Sequence, residues 1–521
     1  SYIMETPSSY GSVAVPPSLN HFAIYNPTFG PTEETQQDQL LYYVAKKTVP
    51  MDVKMRQIGL AQGLINFTRA FSPIKACENV HTQKNRMVFH EPEKDYWIYV
   101  SIELGHIKKL TKDKDGKPKT VVEYFDSNLH DSGIKRMLEM GYEMYRVFNG
   151  TFDSTVKTLG VKALKIKLEE FFSNWVLEWE FDKTELTKTI DGIFYLPLSN
   201  SAISKVSSFV EQIQMEYKFI SEIIVLWQNK LVYNGDGNRS ISENDLKCIL
   251  RHLDPLISEK DALERGQEKK KKSKEAEKVL PEISPEVISF NIFHQPFLQA
   301  HHRLTTHDSD IKPLKVYLTK KVTGHLNDDI TETDDEYESN IEEYFLVAYK
   351  QNDLTLVFLI PNSLPEGYTK AYDKTFYKSI HEYLSSHSDD IIKILNEDYE
   401  HSIKLGSDTD KEYRYVFFNK LNLAIKSSLY PFNASNGTSS SKGLTITGEM
   451  AHALYDLHED LEKYPHLTEI YTRSTTNFWI VGKRSNGRVL YVVVPKKEVS
   501  LMEVEDDVRK LSNLCDTINS S

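Results

Sequence analysis

Few of the residues that commonly do chemistry in proteins stand at spacings that would let them act together. Asp115–Lys117 and Val481–Ser485 each contain Gly-Lys, but both lack the upstream glycine and the following hydroxyl of a phosphate-binding loop, and we interpret them as hairpin turns. His381 and Glu382 would need a second histidine one helical turn later to hold zinc, whereas the next histidine is His387. The sequence therefore predicts neither nucleotide hydrolysis nor metal-dependent proteolysis.

The cysteines and the remaining histidines favour no catalytic or metal site. Cys77, Cys248 and Cys515 are far apart and lack the paired spacing of zinc ligands, which is typical of a protein from a reducing compartment. The histidines of 301–307 lie in a stretch without helical or strand periodicity. We therefore expect no cofactor, no bound metal and no bond-making active site.

One run of basic residues stands out between two patterned regions. It comprises Lys269, Lys270, Lys271, Lys272 and Lys274. Such a run can contact anionic membrane lipids, phosphoinositides included, because each lysine near a negative surface contributes about 1 kcal/mol. Glutamates interleaved from Glu259 to Glu277 cancel much of that field, which favours a solvated linker instead.

Charge and hydropathy restrict the partners and the compartment. The net charge is −12 with both signs intermixed, whereas binding to nucleic acid needs a concentrated basic face. The longest apolar runs are about seven residues, against the ~20 of a transmembrane helix, and no secretory signal is recognisable. We expect a cytoplasmic protein that binds other proteins and no nucleic acid.

Two similar hairpins near the end of the chain indicate an internal repeat. Phe345–Pro361 and Phe478–Pro495 each consist of two β-rich runs around a polar Asn turn. Earlier in each repeat another hairpin is predicted, at Ile220–Asn234 and Tyr413–Ile425, and a helix follows it. The inward residues of these helices are predicted to be Leu246, Ile249, Leu250 and Leu253, and Met450, Leu454, Leu457 and Leu461. This order predicts an α/β (α+β) fold of mostly antiparallel sheets flanked by helices.

The first third of the chain fits the same order in an expanded form. Strands are predicted at His21–Tyr25, Leu40–Val44, Tyr96–Leu104 and Val121–Phe125. A helix is predicted to begin at Asp52 and to end at Pro73. Its predicted inward face consists of Leu60, Leu64, Phe67 and Phe71. Two long helices after the last strand complete the pattern.

The repeats divide the chain into modules, because 521 residues exceed what a single hydrophobic core holds. We expect a flexible tail over residues 1–19 and a first module with extra helices over 20–215. The second module is predicted over 216–405 and the third over 410–521. A charged surface insertion is expected in the second module at about 259–280.

Several blocks of sequence resemble one known family. They are Phe22–Phe29, Phe67–Pro73, His81–Arg86, Tyr145–Phe152, Val416–Ser427 and Phe478–Pro495. Together they closely resemble the Ccz-one family of vacuolar fusion proteins, which are tri-longin subunits of the Mon-Ccz guanine nucleotide exchange complex. The match runs from about residue 20 to the C-terminus. It implies three longin modules, and their strand and helix order agrees with the repeat described above.

The resemblance also implies a function. It implies an obligate heterodimer with Mon-one that exchanges guanine nucleotide on the late-endosomal Rab GTPase, with a third, scaffold-like subunit in animals. Such a complex is recruited peripherally to late endosome, lysosome or vacuole membranes, where it promotes endosome maturation and autophagosome fusion. The alternatives are a longin scaffold or tether without exchange activity, and an α/β enzyme with an unrecognised site.

A polar stretch in the first module is the predicted contact with the Rab or the partner subunit. The candidate residues are Phe71, Ser72, Pro73, His81, Thr82, Gln83, Lys84, Asn85 and Arg86. Periodicity does not require these side chains, and they follow the end of a helix, so we expect those that are exposed to form a binding surface. The alternative is that His81–Arg86 orders a long loop or contacts Mon-one.

Overall fold

The structure, a computed structural model, divides into two compact units. The first comprises residues 1–146 and 150–189, and the second comprises residues 147–149 and 190–521. The residues that the structure describes are 13–72, 78–126, 129–181, 186–235, 241–274, 296–299, 311–319, 340–429, 447–494 and 498–519.

The first unit is built on a five-stranded antiparallel sheet. Its elements are β1 (Val13–Val15), β2 (Ser18–Tyr25), β3 (Leu40–Ala45), α1 (Met51–Phe71), β4 (Asn79–His81), β5 (Asn85–Glu93), β6 (Tyr96–Glu103), β7 (Gly105–Lys112), β8 (Pro118–Phe125), α2 (Asp131–Asn149), α3 (Phe152–Leu159), α4 (Val161–Leu177) and α5 (Leu186–Ile190). The sheet has the order β3-β2-β6-β5-β4, while β1, β7 and β8 form a separate sheet of three strands.

Helices cover both faces of the five-stranded sheet, which explains the nearly continuous apolar run of β6. Successive side chains of a strand point to opposite faces, so a strand buried on both faces needs apolar residues at every position. On one face, Tyr25 and Tyr99 pack with Ile58 and Ile65 of α1. On the other face, the core contains Phe22, Ile98, Leu138, Tyr145, Leu164 and Phe172, which come from the sheet, α2 and α4.

Helix α1 is placed as the sequence indicates, but its inward face is not the predicted one. The buried residues are Met55, Ile58, Ala61 and Ile65. Leu60, Phe67 and Phe71 lie on the outside, with exposed fractions of 60, 63 and 76%. The prediction is wrong for these three residues, although Leu64 is half-buried against the core as expected. Helix α1 carries two apolar stripes of helical spacing, and the sheet covers the one with the smaller side chains.

Three other expectations for this unit need correction. His81–Arg86 does not lie in a long loop, because it comprises the end of β4, a short turn and the start of β5. Val121–Phe125 is a strand, but it pairs with β7 outside the main sheet. Of the predicted flexible tail, residues 1–12 lie outside the described residues, whereas Val13–Val15 form β1, whose Val13 pairs with Lys108 of β7.

The second unit contains two more five-stranded antiparallel sheets. Its elements are α6 (Asn200–Glu216), β9 (Glu222–Trp227), β10 (Lys230–Asn234), α7 (Glu243–Lys274), β11 (Leu314–Thr319), β12 (Ile341–Gln351), β13 (Leu354–Pro361), α8 (Gly367–Ala371), α9 (Lys374–His387), α10 (Asp389–Glu412), β14 (Arg414–Asn419), β15 (Ile425–Ser427), α11 (Gly448–Lys463), β16 (Glu469–Arg473), β17 (Trp479–Ser485), β18 (Arg488–Val494) and α12 (Leu501–Asn519). The sheet orders are β10-β9-β13-β12-β11 and β15-β14-β18-β17-β16.

All three five-stranded sheets have the same strand order. Numbered within its own module, each reads 2-1-5-4-3, with the first strand beside the last. The repeat predicted from the hairpins is therefore confirmed and extends to the first module. Asn352 and Asn486 hold the predicted turns in the left-handed region, with φ of 52° and 50°, which Asn tolerates better than most residues. Val481–Ser485, predicted as a turn, instead belongs to strand β17.

The border between the first and second modules lies earlier than residue 215. Helix α6 buries Val206, Val210 and Ile213 in the same core as Val225 and Phe358 of the second sheet. The segment just before α6 also belongs to this unit. It begins at Ile190, so the extra helix assigned to the first module is part of the second.

Most residues of the predicted charged linker belong to helix α7. It confirms the inward face at Leu246, Ile249 and Leu253, and the backbone N–H of Asp245 donates to Ser242 Oγ at 3.3 Å, which starts the helix. Helix α7 then continues to Lys274. It contacts the second sheet at Asp261, which pairs with Lys350 of β12 at 2.6 Å. The expected charged insertion is therefore helical as far as Lys274, and its remainder, 275–280, lies outside the described residues.

Candidate functional site

An uncovered apolar stripe on α1 is the clearest candidate binding surface of the first unit. Leu60, Phe67 and Phe71 follow one another at helical spacing, and half-buried Leu64 lies between them. The rings of Phe67 and Phe71 lie 4.9 Å apart, so they form one contiguous surface. The stripe extends for ~16 Å along the helix, at 1.5 Å per residue. We call Leu60, Phe67 and Phe71 the α1 stripe, and leave out Leu64 because it packs against the core.

Small residues border the α1 stripe. A Cβ added at Gly59 or Gly63 would have no atom within 4 Å, so the helix surface beside Leu60 is open. Large apolar side chains beside glycines allow another helix or strand to approach closely. The surface beside the stripe is therefore open to close approach.

The second candidate surface is the turn between β4 and β5. Thr82 closes this turn, since its hydroxyl donates to the carbonyl of Asn85 and accepts from the Asn85 N–H, both at 2.9 Å. The backbone N–H of Leu104 donates to the carbonyl of Lys84 at 2.8 Å. The side chains of Gln83 and Lys84 are exposed at the tip. The backbone is thus fixed while these two polar side chains face outward.

Arg86 is an anchor of the fold, not an exposed contact. The residue is 5% exposed, and its guanidinium donates to Asp126 Oδ2 at 2.9 Å and to the carbonyl of Leu129 at 3.0 Å. Asp131 at the start of α2 lies 3.4 Å from the same guanidinium. Arg86 is therefore not part of an exposed binding surface, and reversing its charge would place a further negative group beside Asp126 and Asp131.

His81 joins the same polar group. Its Nε2 lies 2.6 Å from Asp131 Oδ2, so a single carboxylate bridges the histidine of β4 and the arginine of β5. Asp131 is in the first turn of α2, where the helix dipole favours a negative charge. The β4–β5 hairpin is thereby held against α2, which supports the alternative that His81 and Arg86 order this segment.

The two candidate surfaces lie at opposite ends of β5. At one end is the tip with Lys84. At the other, Arg69 near the end of α1 pairs with Glu91 at 3.3 Å and stacks over the ring of Trp97 at 5.1 Å. Asn85 and Glu91 are six residues apart, which is roughly 20 Å along a strand. The structure therefore separates Phe71 and Ser72 from the other candidates, and Pro73 lies outside the described residues.

Shifted pKa values along β5 have structural causes. Burial, with Lys135 and Arg136 nearby, lowers the pKa of His90 to about 3, so this ring is neutral at pH 7. Burial raises the pKa of Glu93, although three donors favour its charged form. These donors are the N–H groups of Phe152 and Asp153, at 2.7 and 3.0 Å, and the hydroxyl of Tyr142. Glu93 thus holds the first turn of α3 against the β5–β6 turn.

The lysine run is helical where the structure describes it. Lys269–Lys272 and Lys274 belong to the last turns of α7, and the Lys269 side chain is exposed. Among the described residues, no helix is both long and apolar enough to cross a bilayer. The histidines of 301–307 lie outside the described residues.

Comparison with known proteins assigns two of the modules. Residues 19–150 match the model described as the first longin domain of INTU, CCZ1 and HPS4. Residues 409–511 match the Intu longin-like domain 3. The first of these regions contains both candidate surfaces, and the second contains the third sheet.

Full-length comparison extends the match over nearly the whole chain. A vacuolar fusion protein CCZ1 homolog from Nematostella vectensis is 28% identical over 501 residues, which cover 95% of this chain and 96% of the relative. The Xenopus tropicalis protein of the same name is 27% identical, and that of Dictyostelium discoideum is 23% identical over 94% of this chain. The chain is a longin-domain relative of the CCZ1 homologs. The shared 2-1-5-4-3 strand order indicates that its middle module has the same architecture as the two matched ones.

The sequence indicated only Phe71 of the α1 stripe as a contact residue, because the periodicity of α1 assigned Leu60 and Phe67 to the core. One signal was available. Met55, Ile58, Ala61 and Ile65 also repeat at helical spacing, so the sequence contains two apolar faces where one sheet can cover only one.

Proposed function

We propose that this chain is a subunit of a heterodimeric guanine nucleotide exchange factor that acts on a late-endosomal Rab GTPase in vacuolar and lysosomal fusion. The relatives named as vacuolar fusion proteins support a trafficking role. The observation that supports assembly with a second subunit is the α1 stripe, which is exposed on a region that matches a longin domain. In this proposal the stripe binds a second longin subunit, Mon-one.

The two surfaces suit two kinds of contact. Permanent subunit interfaces are apolar and resemble a protein core, which matches Leu60, Phe67 and Phe71. Contacts with a GTPase that must bind and leave are more polar, and their charges contribute mainly to the rate of association and to specificity, which matches Gln83 and Lys84. We therefore assign the α1 stripe to the partner subunit and the β4–β5 tip to the Rab.

Exchange of this kind needs no bond-making group. The complex must bind the GTPase with displaced switch loops more tightly than the nucleotide-bound form, since equal binding to both would shift nothing. A thousandfold faster release corresponds to roughly 4 kcal/mol of such differential binding. A rigid tip such as the one Thr82 holds can supply part of it, because little conformational entropy is lost when it binds.

The test is release of a fluorescent guanine nucleotide from the Rab, with this chain, with Mon-one and with both. We expect fast release only with both. Leu60→Ser/Phe67→Ser should abolish copurification with Mon-one and reduce exchange at least tenfold. Leu177→Ser, which changes an exposed leucine of α4 in the same unit, should leave both unchanged.

A charge variant separates the Rab contact from subunit assembly. Lys84→Glu should slow exchange while the heterodimer copurifies normally. Normal exchange by this variant would contradict the Rab assignment of the tip. No release in any mixture would instead support a scaffold or tether without exchange activity.

A further inference from the structure

The strands β7 and β8 form an arm that leaves the main sheet of the first unit. Residues 108–123 are all exposed, on both faces of the hairpin. The arm contains six lysines against three acids, in a chain with a net charge of −12. The lysines are Lys108, Lys109, Lys112, Lys114, Lys117 and Lys119. Positive charge is thus concentrated where the backbone stands free of the core.

One face of the arm combines lysines with apolar side chains and has no acid. Residues directly opposite in an antiparallel pair share a face, and the register pairs Lys108 with Val122 and with Val13 of β1. Leu110 pairs with Thr120, and Lys112 with Pro118, two and four residues further along the same face. We call this row the basic face.

Two of the three acids of the arm are occupied elsewhere. Asp113 Oδ1 accepts the backbone N–H groups of Asp115 and Lys117, at 2.9 and 2.8 Å, and so shapes the tip. Glu123 is on the opposite face, where it pairs with Lys109 at 2.8 Å. Neither carboxylate neutralises Lys108 or Lys112.

We propose that the basic face docks on an anionic lipid bilayer, with Lys108 and Lys112 at the headgroups and Leu110 and Val122 at the acyl boundary. Charge complementarity selects the bilayer, because lysines that flank aliphatic side chains are the pattern of interfacial membrane contacts. An acidic protein segment would meet the charge, but the flat row of aliphatic side chains offers it no pocket. This site is distinct from the lysines at the end of α7.

The proposal goes beyond the exchange activity and does not depend on it. The first test is flotation of the full chain with phosphatidylcholine vesicles that contain or lack phosphatidylserine. We expect binding only to the anionic vesicles, and weaker binding as salt increases, because the Debye length shortens. Failure of the wild-type chain to bind anionic vesicles would overturn the proposal.

Variants locate the contact. Lys108→Glu/Lys112→Glu should reduce binding at least tenfold, and Leu110→Ser/Val122→Ser should reduce it several-fold. Lys393→Glu/Lys404→Glu, on an exposed part of α10, makes the same change of net charge and should bind as the wild type does. Circular dichroism should show that all three variants are folded, since the altered residues are exposed.

Three outcomes would contradict the arm as the site. Equal loss with the α10 variant would mean that only net charge matters. Unchanged vesicle binding by the Lys108→Glu/Lys112→Glu variant would show that the basic face does not contact the membrane. If that variant kept vesicle binding but lost Rab exchange, the basic face would bind an acidic protein surface instead.

Discussion

Arg86 shows how one residue can determine what a neighbouring surface presents. Its guanidinium is bound by Asp126, Asp131 and the Leu129 carbonyl, so β5 is fixed to the segment that leads into α2. A buried charge keeps its partners because an unpaired one is costly. As a consequence, the adjacent tip is rigid although Gln83 and Lys84 are free to bind.

This role predicts different effects for two neighbouring residues. Arg86→Ala should lower the free energy of unfolding by about 1–3 kcal/mol, because it removes the charged hydrogen bonds to Asp126 and to the Leu129 carbonyl, while Asp131 keeps His81. Lys84→Ala should change it by less than about 0.5 kcal/mol, since that side chain is exposed. Urea denaturation of the full chain measures both, and equal midpoints for the two variants would refute the anchor role.

At the scale of elements, the third sheet packs closely on one of its helices. Gly482 of β17 lies under α11, where an added Cβ would be 2.7 Å from Leu461 Cδ1 and closer still to Leu457. A glycine at this position lets the helix approach the strand more closely than any other residue would. The requirement is steric and does not involve a left-handed backbone.

The close approach predicts that Gly482→Ala destabilises the third module. Overpacking of this kind costs about 1–3 kcal/mol. Gly266 lies at an exposed position of α7, and no atom is within 4 Å of an added Cβ. Gly266→Ala should instead stabilise the chain by up to about 1 kcal/mol, because alanine has a higher helix propensity than glycine. Thermal unfolding of both variants measures the difference. Destabilisation by both would show that the packing argument fails.

At the scale of the whole molecule, a short segment joins the two five-stranded sheets of the second unit. The N–H of Ile193 donates to the Leu423 carbonyl at 2.7 Å, and the Ile193 carbonyl accepts from Ile425 of the third sheet at 3.0 Å. The next residue pairs with the second sheet, since the N–H of Leu231 donates to the Phe194 carbonyl at 2.7 Å. This strap joins the edge strands β10 and β15.

Breaking the strap should loosen the third module without unfolding it. Ile193→Pro removes the N–H that donates to Leu423, so this segment is held less firmly against β15. The remaining hydrogen bond, from the Ile425 N–H to the Ile193 carbonyl, should then open more often, and the Ile425 amide should exchange its hydrogen at least tenfold faster. Ile193→Val keeps the backbone donor and should leave exchange unchanged. Hydrogen exchange followed by mass spectrometry measures both, and protection that survives in the proline variant would show that the strap does not hold β15.

Periodicity and turn chemistry in the sequence by themselves determined the kind of fold. The hairpins around Asn352 and Asn486 and the helices with Leu246 and Leu454 are local features, because turn preference and helical spacing depend on neighbouring residues. The repeated order of strands and helices followed from them. The family resemblance added the longin architecture, and the comparisons agree with it.

Only the tertiary structure decided which side chains are available to partners. Helix α1 has two apolar stripes, and the sheet covers Ile58 and Ile65 while Leu60 and Phe67 remain outside, a choice that depends on residues far away in sequence. Arg86 is inward for the same reason, since Asp126 and Asp131 lie some 40 residues later. Spacing shows that a face exists, but burial depends on what the rest of the chain brings against it.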